Sequence, residues 1–159
     1  EPDFPSMLIA LRAAGVTSQV IGSDGIDSPT TFSLGDVGED VVFTTAGFAI
    51  KGSPLEAFDK AFEQKYGSAP ESIYSAVGYD LIKVIEAAVI VAGSTDPTKI
   101  RDAMADLENV QGATGLITYK GTNGMPVRQV SLIRVKDGGR ELVGQPSPDA
   151  NLIPAPRMQ

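Results

Sequence analysis

The stretch Gln19-Val20-Ile21-Gly22-Ser23-Asp24-Gly25-Ile26-Asp27-Ser28-Pro29 decides the fold, because it reads as a short apolar strand, a turn-rich loop and a helix start in immediate succession. Ser28 before Pro29 has the form of an N-cap followed by a first-turn proline, predicting a short helix over 29–34 that closes at Gly35. Upstream, Phe4, Met7, Leu8, Leu11 and Ala14 recur at helical spacing, with Asp3 as the expected N-cap and Gly15 as the stop. Downstream, Val41-Val42-Phe43-Thr44-Thr45 is a β-branched run of the kind a buried parallel strand uses.

Two stronger helix signals follow. Ser53-Pro54-Leu55-Glu56 fits a capping box with proline at the first helical position, and Leu55, Phe58, Phe62 and Tyr66 form one apolar stripe before Gly67. The segment 71–92 carries Ile73, Val77, Leu81, Val84, Ala88 and Val91 on one face and Ile82, Ile85 and Val89 on another. A helix apolar on most sides is expected to be buried on most sides. Asp96-Pro97 opens a further amphipathic helix through Leu107.

From Gly112 the period changes. Residues 116–119, 127–135 and 141–143 read as strands, separated by Asn123-Gly124-Met125-Pro126 and Asp137-Gly138-Gly139, both with hairpin-type turn chemistry. Helix and strand alternating through the first half, then a hairpin, predict an α/β fold: three layers, a mainly parallel sheet with flanking helices and a C-terminal β-hairpin. Residues 145–159 hold four prolines and no periodicity, the composition of an extended strap or a disordered tail.

Composition narrows the chemistry. The 159 residues contain no His, no Cys and no Trp. Imidazole bases, thiolate nucleophiles, zinc fingers and disulfide frameworks are therefore excluded within this chain. A net charge of −7 without a basic run gives no electrostatic footprint for nucleic acid or anionic lipid. The longest strongly apolar run, 84–92, is about half a membrane span and contains Glu86. The first residue is Glu1 rather than Met, and the expectation is a piece of a longer protein or a processed chain.

The loop over 22–28 is the most site-like feature, since Asp24 and Asp27 follow a buried strand among glycines that let backbone approach a ligand. Turn geometry and capping explain the same two aspartates equally well. Asp24-x-x-Asp27 lacks the alternating oxygen ligands and closing Glu of a calcium loop, so no metal is expected. No nucleophile or electrophile stands at recognisable spacing, and no cofactor is expected either. The glycine pairs Gly112/Gly115 and Gly121/Gly124 match neither a phosphate-cradling loop nor a dinucleotide fingerprint and read as turns. Tyr79, inside the apolar helix, reads as core; Tyr74, just after Pro70, is placed to face a cleft.

Several segments, in order, resemble the C-terminal part of the substrate-binding proteins of ABC importers, of the branched-chain amino-acid (Leu/Ile/Val) type with a type I periplasmic binding fold. They are Phe4-Pro5 through Leu11-Arg12-Ala13-Ala14-Gly15-Val16, Val20-Ile21-Gly22-Ser23-Asp24-Gly25, and Gly38-Glu39-Asp40-Val41-Val42-Phe43-Thr44-Thr45. Phe58 through Lys65-Tyr66-Gly67, Ala76-Val77-Gly78-Tyr79-Asp80, Ala92 through Ala103 and Gly112 through Thr118 continue the series. The resemblance runs from Asp3 to about Val143.

It implies a two-lobe protein that closes on a small solute without catalysis, the chain crossing between lobes three times. Residues 1–50 and 110–144 would belong to the second lobe, and 53–108 would be helices packed on the first. Asp24 falls where amino-acid-binding members place an acid for the ligand's α-ammonium. Tyr74 and Ser75 match the region before the interlobe helix that lines the cleft, and Phe48 and Ala46 follow the strand at 41–45 toward the same place. The implied partners are a small-molecule ligand, an ABC permease, and a missing N-terminal lobe or a second copy. The implied location is periplasmic or extracellular, with a membrane anchor through the absent N-terminus as one arrangement. A ligand-sensing regulatory module of the same fold is the alternative, and a small carboxylate-dependent α/β enzyme using Asp24 and Asp27 is a third reading.

Overall fold

A computed structural model describes residues 3–146. Helix α1, Phe4–Ala13, leads to strand β1, Ile21–Gly22, and through a 3-10 turn at Asp24–Ile26 to the short helix α2, Pro29–Phe32. Strand β2, Val42–Thr45, runs parallel to β1 with Ile21 opposite Val42. The expected side-chain caps at Asp3 and Ser28 do not form. Asp3 is itself in helical conformation, and the Ser28 hydroxyl is engaged with Thr30 Oγ1 at 2.8 Å.

Helices α3, Pro54–Tyr66, α4, Tyr74–Ala92, and α5, Pro97–Ala105, follow. Ser53 Oγ accepts from the Glu56 amide at 3.1 Å as a capping box requires, while the Glu56 carboxylate reaches one residue further back, to the Gly52 amide at 2.7 Å. Asp96 caps α5 through the Lys99 amide at 3.0 Å.

Strands β3, Val110–Gly112, β4, Gly115–Thr118, and β5, Val127–Arg128, form one antiparallel sheet. Strands β6, Ser131–Lys136, and β7, Gly139–Gly144, join the other, whose order is β1-β2-β6-β7. The single strand expected over 127–135 is thus broken at Gln129-Val130, where the chain passes from one sheet to the other. The β6–β7 turn is Asp137-Gly138, with φ of 50° and 72°, the left-handed pair of a tight hairpin.

The four-stranded sheet is mixed rather than mainly parallel, because β6 returns antiparallel to β2 and β7 antiparallel to β6. Its core face carries Val41, Phe43, Ile133 and Val135, packed with Leu8 of α1 and Ile26 of the turn, and Phe32 of α2 lies against them. The opposite face carries exposed Ile21 and Val143. The fold is thus α/β, a mixed sheet with flanking helices that ends in the expected C-terminal hairpin β6–β7.

A second body of packing joins the helices to the small sheet: Val84 and Ala88 of α4 bury Leu107 and Ile117, with Met104 and Tyr119 alongside. Residues 110–128 thus side with the helices, and the chain rejoins the large sheet only at Ser131. Leu55, Ile73, Ala76 and Ala113 pack where the two bodies meet. The Pro-rich tail expected from 145 lies, apart from its first two residues, outside the described residues.

Candidate functional site

The site loop is shaped by Gly22 and Ile26. A Cβ on Gly22 would stand 2.5 Å from Ile26 Cδ1, so the missing side chain lets the loop fold back and seat Ile26 in the core. That single 3-10 turn, closed by the Asp27 amide donating to the Asp24 carbonyl at 3.0 Å, sends the two aspartates into different surroundings. Asp24 stays exposed on the loop.

Asp27 turns inward and is 3% exposed, too buried to remain uncompensated. Its Oδ2 accepts from Thr45 Oγ1 at 2.5 Å, and its Oδ1 faces Arg140 Nη1 at 3.4 Å. It caps nothing. It ties the loop after β1 to the end of β2 and to β7. The Arg140 guanidinium lies over the rings of Phe32 and Phe48, 5.7 and 5.9 Å from their centroids.

Beside this assembly is a cavity of about 350 Å³. One wall is Asp27, Phe32 and Arg140; the other is Leu55 and Asp59 of α3 with Ile73 before α4. Burial pushes the Asp59 carboxyl above its ordinary value, and the field of Arg140 pulls it partly back. A second cavity of about 310 Å³ holds Phe48 together with Ile50, Pro54, Thr114 and Gln129, where the chain changes from one body to the other.

Tyr74 opens α4 half-exposed and Ser75 follows it, partly buried. Of the four expected ligand residues, Phe48 lines the second cavity, and Asp24, Tyr74 and Ser75 line neither. Tyr79 is not core: it is 47% exposed, its ring tilted against Phe58 with centroids 5.4 Å apart.

Sequence reasoning passed over Asp80. It is 1% exposed in the middle of α4, and its carboxylate accepts from the Ala113 amide at 2.5 Å, the Thr114 amide at 3.1 Å and the Thr114 hydroxyl. Arg128 reaches the same Thr114 hydroxyl and stands 4.0 Å from Asp80 Oδ2. The signal was available: Asp80 is the one acid in the four-residue repeat Ala76-Asp80-Val84-Ala88 that forms the buried stripe. Gly112 is required beside it, since a Cβ there would fall 2.5 Å from Asp80 Cγ.

Among the described residues no group of three or more acids is arranged to hold a metal ion, and no helix is long and apolar enough to cross a membrane. The arrangement offers two charged walls facing a gap, with Asp24 as a further carboxylate on an exposed loop, and a small ligand could be held between such walls.

Comparison with known proteins agrees with this geometry. The structure superposes on a leucine-binding protein, LivK, from Thermotoga maritima, with a TM-score of 0.80 and 28% identity, over 92% of this chain and 42% of that one. It also matches a putative branched-chain amino acid ABC transporter from Rhodospirillum rubrum, with a TM-score of 0.73 and 28% identity over 89% of this chain and 42% of that one. A solute-binding protein from R. palustris, in complex with benzoate, shares the fold at a TM-score of 0.73 and 18% identity, over 97% of this chain and 43% of that one. The chain therefore spans about two fifths of the length of these structures. No curated protein matches it. The family model for periplasmic binding proteins covers residues 1–140, and the chain belongs to that family.

Proposed function

We propose that the chain is part of the extracytoplasmic solute-binding component of an ABC importer, which captures a small amino acid or related solute by lobe closure and delivers it to a membrane permease. The observation that carries this reading is the superposition on a leucine-binding protein over nearly the whole chain. No catalytic step is assigned. The family points to a location outside the cytoplasm.

Within this reading the four-stranded sheet with α1 and α2 is most of one lobe, and helices α3–α5 with β3–β5 belong to the other. The outer side of α4 supports that division. Leu81 and Ile82 are 56% and 62% exposed on the side away from Ala76, Asp80, Val84 and Ala88, with Ile85 between them. Apolar surface of this kind marks a contact. Its occupant is the lobe made by the part of the relatives' length that this chain does not span.

In this reading Asp24, on the exposed loop, is the ligand's ammonium acceptor, desolvated when the lobes close. Closure would bring Tyr74, Ser75 and Phe48 to the same ligand, although in the form described only Phe48 of these four lines a cavity. A carboxylate paired only when the cleft shuts contributes to ligand binding without burdening the open form. Calorimetry with L-leucine, L-isoleucine and benzoate on the intact protein tests this. Asp24→Ala is expected to weaken binding of an amino acid by about 2–4 kcal/mol, leaving an ammonium unpaired in a closed cleft. Equal affinities for the wild type and the variant would remove Asp24 from the site.

A further inference from the structure

We propose that Arg140 and Asp59 are a latch: they face each other across the 350 Å³ cavity and form an ion pair when the two lobes close. This rests on the solute-binding reading above, which supplies the closure.

The Arg140 side is built in advance. Buried Asp27, itself fixed by Thr45, holds Nη1, and Phe32 and Phe48 hold the plane of the guanidinium. Of its five N–H donors only one has a protein acceptor among the described residues, and the side chain is 41% exposed toward the cavity. An arginine so constrained gives up little side-chain entropy when it takes a second carboxylate.

The opposite wall holds that carboxylate. Helix α3 turns Glu56, Asp59 and Glu63 toward the cavity at spacings of three and four. Glu56 is taken by Lys60 at 2.8 Å and by the Gly52 amide, and Glu63 is solvated. Asp59 is half-buried and has neither hydrogen bond nor ion pair among the described residues. An unpaired, partly desolvated carboxylate is unfavourable in the state observed, and the direction of its proton affinity agrees. Closing the gap onto Arg140 relieves that cost, so the same residue that strains this form stabilises the closed one.

The test is a double-mutant cycle in the intact protein, with Asp59→Asn and Arg140→Gln measured for dissociation of L-leucine, L-isoleucine and benzoate by stopped flow and calorimetry. Asp59→Asn is the cleaner member because it breaks no described contact. The latch predicts that each single variant speeds dissociation of every bound probe roughly three- to tenfold, and that the double variant is no worse than either single one. Additive effects, or an inert Asp59→Asn, overturn it, while the solute-binding reading then survives if Asp24→Ala still weakens binding. If Asp59→Asn weakens the two amino acids and spares benzoate, Asp59 touches the solute's ammonium and the latch is wrong. If none of the three probes binds, the solute-binding reading and the latch fall together.

Discussion

Removing the Asp80 carboxylate is expected to cost more stability than any other single polar substitution in the helical body. Its two oxygens accept from two consecutive amides, Ala113 and Thr114, and from the Thr114 hydroxyl, and both of those residues are under a tenth exposed. In Asp80→Ala these donors keep their burial and lose their acceptor, at about 1–3 kcal/mol for each unsatisfied group. Half-buried Arg128, whose Nε already lacks a partner, also loses its counter-charge. Partial rescue by water entering the vacated space sets the net loss at about 3–5 kcal/mol. Asp80→Asn keeps one accepting oxygen but turns an NH₂ toward an amide donor, and should lose about half as much. Gly112→Ala gives an independent check. Its Cβ would meet Asp80 Cγ at 2.5 Å, an overpacking cost of about 1–3 kcal/mol, yet once Asp80 is alanine that Cβ has room. Urea unfolding of the intact protein, followed by circular dichroism, should thus show the pair costing less than the sum of the two single changes. A loss within about 0.5 kcal/mol for Asp80→Ala, or strict additivity with Gly112→Ala, would refute the clamp.

Two further outcomes test other parts of the reasoning. Ile82→Ala should lower the stability of the intact protein by about 2–4 kcal/mol if another lobe covers the outer side of α4, and by under about 0.5 kcal/mol if that side is bare; urea midpoints decide. Asp59→Asn should raise the stability of the ligand-free protein at pH 7. The folded-state carboxyl is raised above its ordinary value of 3.8 by burial, so the folded protein binds the proton more tightly than the unfolded chain. The stability linked to that proton is complete below the unfolded value and is lost as pH rises through the folded one. The advantage of asparagine therefore disappears toward about pH 3–4. The groups facing Asp59 are Glu56, Lys60 and Glu63 on its own helix, Glu71 before α4, and Arg140 and Asp27 on the opposite wall, so the comparison with Asn isolates its own titration. An Asp59→Asn advantage unchanged down to pH 3 would show that desolvation is not its cause.

Local signals explain which elements could be read from the chain. Ser53-Pro54 and Asp96-Pro97 carry their stops and starts within four residues, and both caps form as the spacing requires. Asp137-Gly138 specifies its hairpin for the same reason, because two successive left-handed residues admit few sequences. Non-local features left no such mark. The run at 127–135 is uniformly strand-like, but Arg128 finds its partner in Thr114 and Ser131 finds its own in Thr45, fourteen and eighty-six residues away on different sheets. Nothing within nine residues can state that division.

The two aspartates of the site loop show the same limit more sharply, since residues three positions apart with the same side chain take opposite roles. Asp27 is drawn inward because Thr45 and Arg140 converge on it from β2 and β7; Asp24, one 3-10 turn earlier, has no such partners and stays in solvent. Their difference is decided by Arg140, 113 positions from Asp27, whose place opposite Val135 on the core face is fixed by the hairpin register. The α4 helix reverses the lesson. Its apolar excess was plain in the sequence, and the structure leaves Leu81, Ile82 and Ile85 outside because a single helix can face only what lies beside it. An apolar face read correctly from composition and still exposed in a folded chain is a statement about a missing neighbour. In a family whose compared members are more than twice as long, the neighbour we propose is the lobe that this chain does not span.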